Sequence, residues 1–170
     1  MGNIILVGYM GCGKSTVGKN LAKITGYDFI DTDEIIEKNQ GKTISEIFAE
    51  SGEEAFRQME TELLKAFLDD KKDKFVISTG GGMPVKDINR KLLEKLGTVV
   101  YLKADPETIY EHVKNDTKRP LLQCDNPQQR IRDMIEIRNP IYQSSADIII
   151  NVDNLKQSEI AERLKKSCRA

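Results

Sequence analysis

The octapeptide Gly8-Tyr9-Met10-Gly11-Cys12-Gly13-Lys14-Ser15, set directly after the apolar run Ile4-Ile5-Leu6-Val7, constrains the fold more than any other segment of this chain. It satisfies the pattern G-x-x-x-x-G-K-[ST] at every fixed position. Its three glycines let the backbone curl until successive N–H groups point inward at phosphate oxygens, and Lys14 adds a mobile positive charge near the β and γ phosphates. Ser15 offers a hydroxyl to Mg2+. A glycine-rich turn with a solvated lysine would match the same letters, but the context is more demanding. The run before the loop reads as a strand, and Thr16-Val17-Gly18-Lys19-Asn20-Leu21-Ala22-Lys23-Ile24 follows with apolar residues at helical spacing. Strand, loop and helix in that order point to a nucleotide phosphate site formed by Gly11, Cys12, Gly13, Lys14, Ser15 and Thr16.

The rest of the chain extends this unit. Asn3 to Val7, Tyr27 to Asp31, Phe75 to Thr79, Thr98 to Leu102 and Asp147 to Val152 read as five buried strands. Helical patterns lie between them at Thr16 to Thr25, Ile44 to Leu68, Asp87 to Leu96, Pro106 to Lys114, Pro127 to Arg138 and Leu155 to Lys166. The alternation predicts a three-layer α/β/α fold with a five-stranded parallel sheet covered on both faces. Ligands of such sheets bind beyond the C-terminal strand ends. Gly8, Asp31, Asp33 and Gly80-Gly81-Gly82 are therefore expected in one crevice. At 170 residues the chain is expected to be a single domain. Two insertions stand out. The segment from about 33 to 62, where Gly41 and Gly52 interrupt helical patterns, suits a substrate pocket; the polar segment from about 114 to 126 suits a lid.

Composition narrows the class further. Charged residues make up 31 % with a net charge of -1, so nothing favours nucleic acid or an anionic membrane as partner. No stretch approaches the roughly 18 apolar residues of a membrane span, and no export signal opens the chain. Cys12, Cys124 and Cys168 lack metal-ligand spacing, and the single His112 does not complete a zinc site with them. A reducing cytoplasm is the expected location.

Several groups of residues bear on the chemistry. Asp31-Thr32-Asp33 places two carboxylates one residue apart. Asp33 is a candidate cap for a helix starting at Glu34, yet on an extended stretch both carboxylates face the crevice, one toward Mg2+ through water and one toward an acceptor hydroxyl. Arg57 lies on a helical pattern and reads as a solvated surface charge or one paired with Glu60 at i, i+3, so by itself it does not stand out. Gly80-Gly81-Gly82 is more than a tight turn requires and suggests close approach of backbone to a ligand. Arg119, on the expected lid, is placed to stabilise a transferring phosphoryl group on closure.

Taken together, Gly8 to Thr16, Asp31-Thr32-Asp33, Phe56-Arg57-Gln58-Met59-Glu60, the triple glycine, Arg119-Pro120-Leu121-Leu122 and Arg138-Asn139-Pro140-Ile141-Tyr142 resemble the shikimate kinase family over almost the whole chain. The resemblance implies a nucleoside-monophosphate-kinase-like fold and transfer of the ATP γ-phosphoryl group to the 3-hydroxyl of shikimate. It implies shikimate binding by Asp33, Arg57, Arg138 and Gly80 to Gly82, with Lys14, Arg119 and Mg2+ neutralising the moving charge. Ser15 would hold the metal directly and Asp31 through water. A monomer is expected. Many family members carry an arginine seven residues before the lid Arg-Pro-Leu-Leu, stacked on adenine; this chain has His112 there, which reads either as a weaker stacking group or as a helix-surface residue. Cys12 stands where a small residue is usual, and beside Lys14 at a helix start it is expected to be open to oxidants and alkylators. A small regulatory GTPase would carry an Asn-Lys-x-Asp motif, which is missing. A kinase for gluconate or a nucleoside monophosphate is the nearer rival, and only Arg57, the triple glycine and Arg138 argue against it.

Overall fold

The structure, a computed structural model, describes residues 2–116 and 123–168. Its five strands are β1 (Asn3–Val7), β2 (Asp28–Asp31), β3 (Phe75–Ser78), β4 (Gly97–Lys103) and β5 (Ile148–Asn151). They form one sheet in the order β2-β3-β1-β4-β5, with every neighbouring pair parallel. The helices are α1 (Lys14–Thr25), α2 (Thr32–Gln40), α3 (Ile44–Asp69), α4 (Asp87–Leu96), α5 (Pro106–Val113), α6 (Pro127–Ser145) and α7 (Gln157–Ser167). A single 3-10 turn, Met83–Val85, links β3 to α4.

Helices cover both faces of the sheet, and this is why its central strands are apolar without alternation. Ile4 to Val7 of β1, Val76 and Ile77 of β3, and Val99, Val100 and Leu102 of β4 are all buried. Val17 and Leu21 of α1 close one side against them. A second, smaller cluster of Ile36, Ile47 and Phe56 ties α2 to α3. Among the described residues no helix is long and apolar enough to cross a membrane.

Sheet register sets the site. Leu6 and Asp31 both stand level with Ser78, so the C-terminal ends of β1, β2 and β3 finish together. Polar stitches hold those ends. Thr79 donates from its hydroxyl to the Leu6 carbonyl at 2.9 Å, and the Gly80 N–H donates to Thr32 Oγ1 at 3.1 Å.

Gly52, at φ 82° and ψ 171°, is non-helical and divides α3 into two helical segments, the interruption its place in the sequence suggests. One helix differs from the sequence expectation. α6 runs past the expected end at Arg138, through Pro140, to Ser145. A proline inside a helix costs about 3 kcal/mol. The turn beyond it buries Tyr142 and Ser145, and Tyr101 donates to Asn139 Oδ1 at 2.9 Å, so tertiary contacts outweigh the local penalty.

Candidate active site

The loop after β1 has the geometry its glycines predict. Gly11 and Gly13 take φ values of 76° and 96°, in the left-handed region where side chains are strained. Gly13 is the N-cap of α1, so the loop delivers its backbone to a helix N-terminus, an anion-binding arrangement. Lys14 is largely buried. Its Nζ folds back over the loop, donating to the carbonyls of Gly8 at 2.6 Å and Tyr9 at 3.1 Å. Ser15 and Thr16 are exposed in the first turn of α1.

Asp31 and Asp33 do not lie on one extended stretch, contrary to the sequence expectation. The strand ends at Asp31 and the helix begins at once, because Asp31 itself is the cap. Its Oδ1 accepts from the N–H groups of Asp33 at 2.9 Å and Glu34 at 3.3 Å. Its Oδ2 accepts from the Ser15 hydroxyl at 3.0 Å, which brings a carboxylate and a hydroxyl together beside the phosphate loop. Asp33, one helical step on, turns toward the glycine turn instead. Burial, reinforced by the neighbouring Asp31 charge, pushes its carboxyl up to about 6 against the pull of Lys14 and Arg57.

At Gly80 and Gly82 a side chain would collide with neighbouring side chains, whereas Gly81 has room for one. A Cβ on Gly80 would stand 2.7 Å from Asp33 Oδ1 and 3.1 Å from Glu60 Oε2. One on Gly82 would stand 2.1 Å from Arg57 Nη2, and one on Gly81 3.6 Å from Arg138 Nη1. The sequence suggested backbone approach to a ligand; the crowding found is with the side chains of Asp33, Glu60 and Arg57. The same distances show that the turn gathers Asp33, Arg57 and Arg138 into one site. Gly8 O and Met10 N lie 3.6 Å from the Gly81 Cβ position, so this site adjoins the phosphate loop.

Glu60 is the residue that sequence reasoning undervalued. It appeared there as a surface partner of Arg57, and the pairing exists, with Arg57 Nη1 donating to Glu60 Oε1 at 2.7 Å. Glu60 is fully buried, however, and burial holds its carboxyl up to about 7 despite the Arg57 charge. Its signal was present: Phe56, Glu60 and Leu64 recur at four-residue spacing, putting an acid inside the apolar stripe of α3. Glu60 Oε2 and Asp33 Oδ1 are, among the described residues, the buried side-chain oxygens lacking a hydrogen-bond partner. Both flank Gly80.

Supporting groups hold this arrangement. Thr61 donates to Asn89 Oδ1 at 2.7 Å, and Asn89 Nδ2 donates to the Met83 carbonyl at 2.9 Å, tying α3 and α4 to the end of the glycine turn. Tyr142, buried on α6, donates to the Gly81 carbonyl and is also hydrogen-bonded to Arg138, four residues earlier on the same face. The Arg138 guanidinium lies 5.7 Å from the centre of the Tyr9 ring. Neither the Asn89 bridge nor the Tyr142 hydroxyl was anticipated, since both join segments distant in sequence.

Two other expectations change. Cys12 is only 3 % exposed, with Sγ 3.7 Å from Lys14 Nζ, so reagents meet a shielded thiol. His112 is exposed on α5 yet engaged: its Nδ1 lies 2.6 Å from the Gly11 carbonyl. Arg119 lies outside the described residues.

A parallel sheet with a phosphate loop at the end of β1, beside a cluster of two arginines, the buried Glu60 and the half-buried Asp33, defines the chain as an α/β small-molecule kinase of the phosphate-loop class. The family model for shikimate kinase matches residues 10–169, and the chain belongs to the shikimate kinase family. The shikimate kinase of Thermodesulfovibrio yellowstonii is 45 % identical over 166 residues, spanning 98 % of this chain and 94 % of that one. That of Histophilus somni is 44 % identical over 163 residues, with 95 % and 92 % covered. Among solved structures, shikimate kinase from Acinetobacter baumannii in complex with shikimate superposes with a TM-score of 0.92 at 38 % identity, covering 98 % of this chain and 92 % of the other. A gluconokinase from Sinorhizobium meliloti, at 18 % identity and a TM-score of 0.57, shares the fold alone.

Proposed function

We propose that the chain transfers the γ-phosphoryl group of ATP to the 3-hydroxyl of shikimate, releasing ADP and shikimate 3-phosphate, as a step of aromatic amino-acid biosynthesis. The observation that carries this reading is the convergence of Arg57, Arg138 and Asp33 on the glycine turn beside the phosphate loop. Shikimate bears one carboxylate and three hydroxyls. Arg57 and Arg138 supply a cationic clamp for the first. Asp33 Oδ1, buried and without a hydrogen-bond partner among the described residues, and the Gly80 to Gly82 backbone suit the hydroxyls.

In this reading the 3-hydroxyl oxygen attacks the γ-phosphorus as the bond to the β-phosphate oxygen breaks. Asp33 orients the hydroxyl by accepting its hydrogen bond, and with its carboxyl near 6 it is a stronger proton acceptor than an ordinary aspartate. Positioning contributes more than basicity, because the transition state is loose. Lys14 sits where its ammonium can exchange loop carbonyls for phosphate oxygens, and Arg119 brings a second cation to the moving group. Gly11, Cys12, Gly13, Ser15 and Thr16 cradle the donor phosphates. The Ser15 hydroxyl and Asp31 carboxylate, 3.0 Å apart, are hard oxygen donors that fit Mg2+, Ser15 directly and Asp31 through water. Bound there, the ion would neutralise charge on the β and γ phosphates.

The chain acts as one domain, with residues of about 33–62 as the substrate-binding insertion and about 114–126 as the lid. We place it in the cytoplasm as a monomer using small molecules alone, consistent with its composition. The deciding assay offers a panel of hydroxylated acids with ATP and Mg2+ and follows ADP release. Selective turnover of shikimate is expected; equal turnover of gluconate, or ADP release independent of acceptor, would overturn the assignment.

A further inference from the structure

His112 stands on α5, the helix packed directly against the phosphate loop. A Cβ on Gly11 would lie 2.6 Å from Val113 Cγ1 and 3.6 Å from Ile109 Cγ2, so Ile109, His112 and Val113 form one helix face closed onto that glycine. Nδ1 of His112 reaches the Gly11 carbonyl at 2.6 Å. A carbonyl only accepts, so Nδ1 carries the proton, and this holds for the neutral ring as for the imidazolium. The peptide joining Gly11 to Cys12 is rigid and planar. Its carbonyl end is held by His112, and its N–H end donates to the Tyr9 carbonyl at 3.3 Å. Gly11 itself, at φ 76°, has the backbone freedom to lose this orientation if released.

We propose that His112 is a positioning residue of the donor site: its Nδ1–H fixes the Gly11–Cys12 peptide, and so the shape of the phosphate loop, whatever base the nucleotide carries. The inference rests on the reading of residues 8–16 as the nucleotide site. It separates two roles that one imidazole combines, a hydrogen-bond donor and a flat ring. His112→Asn keeps an N–H donor attached at Cγ and removes the ring. His112→Phe keeps a ring and removes the donor. Because His112 is exposed, neither change threatens the core.

The test measures by calorimetry the Kd of inorganic tripolyphosphate, which has no base to stack, and beside it the KM for ATP and for shikimate. His112→Phe and His112→Ala are expected to weaken tripolyphosphate and ATP alike, about five-fold, the loss typical of one hydrogen bond. His112→Asn should stay within about two-fold of wild type, since its donor persists. The KM for shikimate should hold throughout. A Phe variant that behaves as wild type while Asn falls with Ala would overturn the proposal. So would a tripolyphosphate Kd unchanged across the series while the KM for ATP alone rises, because that pattern belongs to base stacking. Wild-type turnover of ATP with shikimate tests the functional reading separately, and the tripolyphosphate ranking remains readable if that turnover fails.

Discussion

Asp33 and Glu60 carry the unusual electrostatics of this molecule, and each makes a prediction with a sign. In the proposed reaction Asp33 can take the hydroxyl proton only when ionised, and its carboxyl stands near 6 in place of the ordinary 3.8. The acid limb of kcat/KM for shikimate should therefore fall as pH drops through about 6; a limb near 4 would mean that Asp33 does not govern it. Glu60 is raised from 4.5 to about 7, so the folded state binds its proton more tightly than the unfolded chain. This contribution to stability is complete below 4.5 and is lost as pH rises through about 7, on the order of 3 kcal/mol in all. Glu60→Gln has no such proton to lose. Denaturant melts between pH 4.5 and 7.5 should show wild type losing stability relative to the variant as pH rises, and parallel curves would count against the buried acid. The Gln variant should also raise the KM for shikimate, because Arg57 loses the carboxylate that aims it.

Asp31 works at the level of the element, where one side chain ends β2, starts α2 and reaches α1. Oδ1 caps the helix while Oδ2 meets Ser15, so the two functions are separable by chemistry. Asp31→Asn keeps a capping oxygen and should leave thermal stability close to wild type. It loses the charge beside the Ser15 hydroxyl, the group proposed to hold Mg2+, and kcat should fall at least about ten-fold, with partial recovery at high Mg2+. Asp31→Ala removes both functions and should cost about 1 kcal/mol of stability in addition. If the Asn variant turns over normally, Asp31 is a cap and nothing more. The pairing of acids two apart in sequence and the strand end at Asp31 could be read directly, but which of the two acids caps the helix could not. The Gly80 N–H, on the turn after β3, also reaches the Thr32 hydroxyl across 48 residues and ties the start of α2 to that turn.

Across the whole molecule, three strand ends, α3 and α6 must meet for the proposed acceptor site to exist. α6 contributes Arg138 and, one turn later, the Tyr142 hydroxyl that holds Gly81. Arg138→Ala should therefore raise the KM for shikimate at least about ten-fold while the KM for ATP changes little, measured by varying each substrate at saturation of the other. An unchanged shikimate KM would remove Arg138 from the site. The phosphate loop and the five strands follow from residues close in sequence, since local periodicity and turn chemistry set them, and the grouping of Asp31, Asp33 and the triple glycine follows from their places at the C-terminal strand ends of a parallel sheet. Arg57 and Arg138 were recognisable only through the family pattern, because helix arginines look alike until their neighbours are known. Glu60 became a buried acid, Cys12 a shielded thiol and His112 a brace on Gly11 only when distant segments packed together. Chain-local rules determine which backbone is built. Burial and long-range contact decide the charge, access and partner of each side chain on it, because desolvation and hydrogen bonding depend on every element that closes around the group.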